Sequence, residues 1–233
     1  MKIKNTKQIA TELLFILTCC CISLSLSAQS SRTYIKNAIK EWGECRNVAI
    51  TKSNGDLALY GRNGCARSGC PDGLNNAITK LNNAHEYIDD VQLTEDGRWL
   101  ILYGNNGFRW NDIPYSLERK LREFNAKKEV VISVTFNDEG NWIVVTKNYI
   151  SSSDNEIQQW LKEGMEQYGG VLTVCLTDDS IVAVFEEGYK FVGNVPETLK
   201  AALRKTKLDV FRLKIAGAAW FFADAKGNYE YNM

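Results

Sequence analysis

All three prolines of the 233-residue chain occupy the same place in a recurring pattern, and that recurrence restricts the fold more than any other feature. Asn63-Gly64 is followed seven residues after the glycine by Pro71 and then by Leu74, and Asn106-Gly107 leads at the same distances to Pro114 and Leu117. Glu187-Gly188 leads, with one extra residue, to Pro196 and Leu199. Pro71 and Pro114 are 43 residues apart and Pro114 and Pro196 are 82 apart, close to twice that step. A unit without its proline must fill the gap, and Val134-Thr135-Phe136, Trp142 to Val145 and the segment opened by Asp154 supply it. Self-similarity at a period of about 40 residues belongs to solenoids, propellers and related arrays, in which one unit alone cannot bury its apolar face.

Each unit changes hydrophobic period in the same order. A short apolar strand (Val48–Ile50, Val91–Leu93, Val134–Phe136, Val174–Leu176) meets a turn carrying Asn, Asp or Gly, and a second strand follows (Leu57–Tyr60, Trp99–Tyr103, Trp142–Val145, Ile181–Phe185). Such runs around Asx and Gly turns predict a hairpin. After a glycine-bearing corner and an aromatic segment that could add a third short strand, proline opens a helix whose stripe reads Leu74, Ile78, Leu81, or Leu117, Leu121, Phe124. Proline suits the start of a helix because its missing N–H would have no intrahelical partner there.

The predicted fold class is therefore an α/β repeat of ββα units, with boundaries at about 46–88, 89–129, 130–170 and 171–208. A lone helix over 31–43 and a lone hairpin over 209–233 flank them, and together these make a fifth copy. Complementary ends favour a propeller-like closed ring within a single domain over 29–233, with an open solenoid as the alternative.

The string Trp99-x-x-x-Tyr103-Gly104-x-Asn106-Gly107 with Ile113-Pro114-x-x-Leu117 resembles a repeat of about 42 residues found in bacterial exported or multidomain proteins without an assigned activity. The resemblance extends along 29–233, is sharpest over 89–125, and loses Tyr-Gly and Asn-Gly in the third and fourth units. It implies the modular fold and brings no catalytic residue.

Residues 1–28 have the layout of a secretory signal peptide: Lys2, Lys4 and Lys7, then an apolar run from Leu13 to Leu26, then small residues up to Ala28. That run is too short and too serine-rich for a membrane span. Export to the periplasm or the outside is expected. Lipidation at Cys19, Cys20 or Cys21 is not, because Thr18 stands where a small residue is usual. Removing the leader takes away three lysines and Glu12, leaving 25 basic against 27 acidic residues. That balance gives nucleic acid no electrostatic reason to bind.

Cys45, Cys65, Cys70 and Cys175 remain, an even number in an exported chain, and they lack zinc spacing. Cys65 and Cys70 stand where the next unit has Phe108 and Ile113, so a Cys65–Cys70 disulfide is expected, and a Cys45–Cys175 bridge is left open. His85, the single histidine, follows a helix in a polar stretch, where a capping role is commoner than catalysis. Asp56, Asp96, Asp138 with Glu139, and Asp178 with Asp179 recur at hairpin turns, where aspartate bonds the local backbone.

No catalytic residue, metal site or cofactor is assigned. Rings recur at the corners (Tyr60, Tyr103, Phe108, Trp110, Tyr149, Tyr189, Phe191) beside Asn63, Asn105, Arg62 and Arg109. Tyr60, Tyr103, Phe108, Arg109, Trp110 and Tyr189 are the candidate ligand contacts, either stacking on sugar or gripping a peptide, or else plugging the core between hairpin and helix. The expected role is a non-catalytic binding or scaffold module for glycan or protein. A polymer hydrolase using turn carboxylates and a structural subunit of an envelope assembly are the alternatives.

Overall fold

The computed structural model describes residues 31–53 and 55–233; the predicted leader and its three cysteines lie outside them. The first described element is a helix over 31–42 (α1). The first sheet contains β1 (Asn47–Ile50), β2 (Asp56–Tyr60) and β3 (Gly64–Ser68), and α2 (Asp72–Asn83) follows it. The second sheet holds β4 (Ile88–Leu93), β5 (Trp99–Tyr103) and β6 (Gly107–Asn111), followed by α3 (Tyr115–Ala126). The third has β7 (Val131–Phe136), β8 (Trp142–Thr146) and β9 (Ile150–Ser152), followed by α4 (Asn155–Tyr168). The fourth has β10 (Val171–Leu176), β11 (Ser180–Phe185) and β12 (Gly188–Gly193), followed by α5 (Glu197–Lys205). The fifth has β13 (Arg212–Ala216), β14 (Ala219–Ala223) and β15 (Tyr229–Asn232). Every sheet is antiparallel with its strands in chain order.

The unit is thus three strands and a helix, the aromatic segment after the corner adding the third strand to the ββα core. The third strand is the sheet's outer edge, and its Gly, Arg, Ser and Lys residues give it the composition of a loop.

Local chemistry explains the boundaries. Pro71, Pro114 and Pro196 are the residues immediately before α2, α3 and α5, with φ of −55°, −53° and −54°. Where the third unit lacks proline, Asp154 Oδ1 accepts the Glu156 and Ile157 N–H groups at 2.7 and 3.4 Å, the usual cap of a helix start. At the other end of α2, His85 takes φ 57°, its N–H donates to Asn82 O, and Glu86 N–H donates to Leu81 O. Lys128 closes α3 in the same way at φ 58°. His85 is therefore an exposed helix stop.

Each helix packs between two successive sheets. Leu74, Ile78 and Leu81 of α2 join Leu57 and Leu59 of the first sheet to Val91, Trp99 and Ile101 of the second. Leu117, Leu121 and Phe124 of α3 join Leu100 to Val134 and Val144. Leu161 joins Ile143 to Ala183 and Phe185, and Leu199 and Leu203 join Val182 to Leu213 and Phe222. Ile35 and Ile39 of α1 pack on Val48 and Ala58 of the first sheet together with Ala216, Phe221 and Ala223 of the fifth. Lys36 Nζ donates to Met233 O at 2.6 Å, and Cys45 N–H donates to Gly227 O at 2.9 Å.

The first strands lie side by side: β1 next to β4 and β13, β4 next to β7, β7 next to β10, and β10 next to β13. No backbone ladder joins them. The Ser133 and Thr135 hydroxyls bridge instead, accepting the Val174 and Leu176 N–H groups at 3.1 and 3.2 Å.

Candidate functional site

Where the first strands converge, the interior is charged. Buried Asp90 accepts from Lys214 Nζ at 2.8 Å, Asn47 Nδ2 at 2.7 Å and Gln92 Nε2 at 2.7 Å. A bulge in β4 between Ile88 and Asp90 sets Asp89 out of register, and Asp89 pairs with Arg212 at 2.9 Å. Burial works against the Asp90 anion, but the Lys214 and Arg212 charges and the hydrogen bonds outweigh it and hold the carboxyl below its ordinary range. All its oxygens are engaged, so this is a structural network.

At the far end of these strands the hairpin turns meet around a cavity of about 70 Å³ lined by Glu95, Asp138, Asp178 and Asp179 among others. The turn carboxylates bond the neighbouring unit as well as their own backbone. Glu95 accepts the Lys52 N–H at 2.5 Å, Asp138 the Asp96 N–H at 3.2 Å, and Asp178 the Asp138 N–H at 3.1 Å. Asp96 acts locally, accepting from Thr94 Oγ1 and Arg98 Nε. Partial burial, with Asp178 and Asp96 alongside, pushes the Asp138 carboxyl up. The space is well below the few hundred Å³ of an ordinary small-ligand site.

The corner rings divide among separate packing regions. Tyr60 stacks on Trp42 with centroids 4.0 Å apart, and its ring lies where a Cβ on Gly64, its cross-strand partner, would stand. Tyr103 covers Gly107 in the same way. The Tyr-Gly-x-Asn-Gly string is thus a ring laid flat on a glycine across a tight turn. Asn106, at φ 69°, ties that turn to the next unit: its Nδ2 donates to Glu129 O and its Oδ1 accepts the Val131 N–H. Phe108 and Trp110 pack towards α3 with Arg122 over both rings, and Tyr189 with Phe191 packs against α5.

Two of the six candidate contacts, Arg109 and Trp110, come together in a groove. It runs between α2 and the outer strand β6, holds about 440 Å³, and is completed by Gly73, Asn76, Ala77, Lys80 and Trp99. A second hollow of about 530 Å³ below the third and fourth sheets is mostly apolar, with Val130, Tyr149, Met165 and Phe211 in its wall. Sequence reasoning had Tyr149 but not the rest, which come from β4, β7, β8, β9, β10, α4 and connecting loops.

The expected Cys65–Cys70 disulfide does not form: Cys45, Cys65, Cys70 and Cys175 are all free. Cys65 and Ser68 are three residues apart on β3, a separation of about 10 Å, whereas bridged cysteines need Cα atoms within about 7 Å. Cys65 sits beside Asn82, while the Cys70 thiol is at the strand's other end, 3.4 Å from Asp56 O. Both positions pack on α2, as Phe108 and Ile113 pack on α3. Burial pushes the Cys45 thiol up to about 12 and those of Cys70 and Cys175 to about 11, which keeps them unreactive.

Among the described residues no cluster of His, Cys, Asp and Glu could hold a metal ion, and no helix is long and apolar enough to cross a membrane. No protein-family model matches the chain, and no curated protein matches it significantly.

Proposed function

We propose that this chain is an exported, non-catalytic binding module whose five units close into a ring and which engages glycan at the corner of its second unit. The observation that carries the reading is the α2–β6 groove. The half-buried Trp110 borders it, the edge of the Trp99 indole reaches it, and Lys80 and Arg109 make no ion pair among the described residues. Aromatic surface beside convergent hydrogen-bond donors is what saccharide recognition uses. Ring closure is supported by the packing of α1 on the fifth sheet and by the Lys36–Met233 and Cys45–Gly227 hydrogen bonds. Export is supported by the leader pattern over residues 1–28, and the periplasm or the medium is the compartment proposed.

A glycan array probed with residues 29–233 tests the binding. Arg109→Ala with Trp110→Ala should remove the signal and leave the circular dichroism spectrum unchanged; a signal that survives both substitutions rejects the groove. Closure is tested separately by treating a Lys36→Cys, Met233→Cys variant with a short bismaleimide, which should bridge the two ends within one molecule.

One observation favours a second reading, a protein partner: Val130, Tyr149 and Met165 stand 64%, 51% and 37% exposed around the apolar hollow. Under that reading Tyr149→Ser with Met165→Ser abolishes partner binding, and Arg109→Ala does not.

A further inference from the structure

The repeat contains its own control for the groove. Trp99, Trp142 and Trp220 occupy one equivalent position at or near the start of the second strand, each beneath the preceding unit's helix. Trp142 Nε1–H donates to Ser116 Oγ at 2.9 Å, and Trp220 Nε1–H donates to Thr198 Oγ1 at 3.0 Å. Both acceptors stand two residues after the helix-opening proline, and at that place α2 has Gly73. A Cβ added to Gly73 would stand 3.5 Å from Trp99 Nε1, in ordinary contact, so a serine there would bring its hydroxyl to the indole.

With glycine present, the Trp99 indole N–H has no acceptor among the described residues. The indole nitrogen is not itself enclosed by protein, so its N–H opens on the groove, where a ligand oxygen can take the place that Ser116 and Thr198 fill elsewhere. The same deletion of a side chain opens the groove at this unit.

The polar side chains around that donor are cationic or neutral, and Asn76 alone among them carries an acceptor oxygen. The Lys80 ammonium, the Arg109 guanidinium, the Asn76 amide and the Trp99 indole line the groove, and no carboxylate does. Arg109 lies 5.9 Å over the Tyr103 ring, and neither it nor Lys80 pairs with an acid among the described residues. A ligand suited to such a wall supplies acceptors and negative charge along with a face that can lie on aromatic surface.

We infer that the groove formed by Gly73, Trp99, Lys80 and Arg109 is a binding site for a carboxylated saccharide, a chain of uronic acid residues. The inference rests on the glycan-binding reading above and names the class of sugar. Arg109 and Lys80 hold the carboxylates, and Trp99 Nε1–H donates to a ring or hydroxyl oxygen.

Calorimetric titration of residues 29–233 with hexagalacturonate, maltohexaose and hexaglutamate tests it. Hexagalacturonate should bind, weaken with added salt, and lose at least about tenfold in affinity on Gly73→Ser, which fills the groove as Ser116 does. That variant should unfold at the same temperature as the parent or higher. Lys80→Glu with Arg109→Glu, two exposed positions, should abolish binding by charge alone. Unchanged affinity in both variants overturns the site. Equal binding of maltohexaose overturns the acidic class and leaves the glycan reading standing. Binding of hexaglutamate alone, or of none of the three, overturns both.

Discussion

The wedges between sheets and the axis where the first strands converge are built from opposite materials. A wedge is a helix stripe of leucine and isoleucine shared by two successive sheets, so its contacts stay within neighbouring units. The axis is polar, and its ion pairs run from the fifth sheet to the second: Lys214 to Asp90 and Arg212 to Asp89, separated by 124 and 123 residues. Repetition therefore supplies the bulk of the burial, and a few unrepeated charges join units that the repeat alone would leave unlinked. This division predicts that faults at the axis act globally and faults in a wedge act first on two sheets.

The largest effect is expected at the axis. Asp90→Ala strands the Lys214 ammonium in the interior and should cost about 3–5 kcal/mol in urea unfolding. Replacing both partners, Asp90→Leu with Lys214→Met, should recover most of the loss; equal damage from the double variant would show that the axis needs its charges. Because the Asp90 carboxyl is held below its ordinary range, its contribution is present above about pH 4 and is lost as pH falls through its folded value.

Next comes Ile39→Ala, which empties the wedge under α1 and should cost about 2–5 kcal/mol. Amide exchange should rise first in the first and fifth sheets; a rise confined to residues near α1 would detach those sheets from each other.

A smaller effect of opposite sign belongs to the turn rim. Asp138 has its carboxyl pushed up, so its ionisation weakens the fold as pH rises from its unfolded to its folded value. Asp138→Asn keeps an acceptor for the Asp96 N–H and should flatten stability across that interval, changing it by less than about 1 kcal/mol. The smallest perturbation is chemical: iodoacetamide should modify half-buried Cys65 before the three buried thiols, as mass spectrometry of the native protein would show.

Much of the architecture was readable because proline and the Leu-x-x-x-Leu stripes repeat as characters. The third strand showed only as an aromatic segment that could pair, since an edge strand such as Gly64-Cys65-Ala66-Arg67-Ser68 carries charge and glycine on its exposed side and has the composition of a loop. The axis was hidden for a related reason. Arg212-Leu213-Lys214-Ile215 alternates as a strand with one wet face would, and only the convergence of five sheets turns the polar side inward. Of the site, Arg109 and Trp110 were visible as corner residues, whereas Gly73 signals only by what it lacks beside Ser116 and Thr198.

The seating of α1 against the fifth sheet also sets a timetable. Ile39 O accepts from the Tyr229 hydroxyl across 190 residues of chain, which at usual synthesis rates is a delay of about 10–40 s. Throughout that interval Ile35 and Ile39 have only one of their two sheets to pack on. Any chaperone or export factor that holds the nascent chain open must cover this helix longest, and folding finishes only after the last strand emerges.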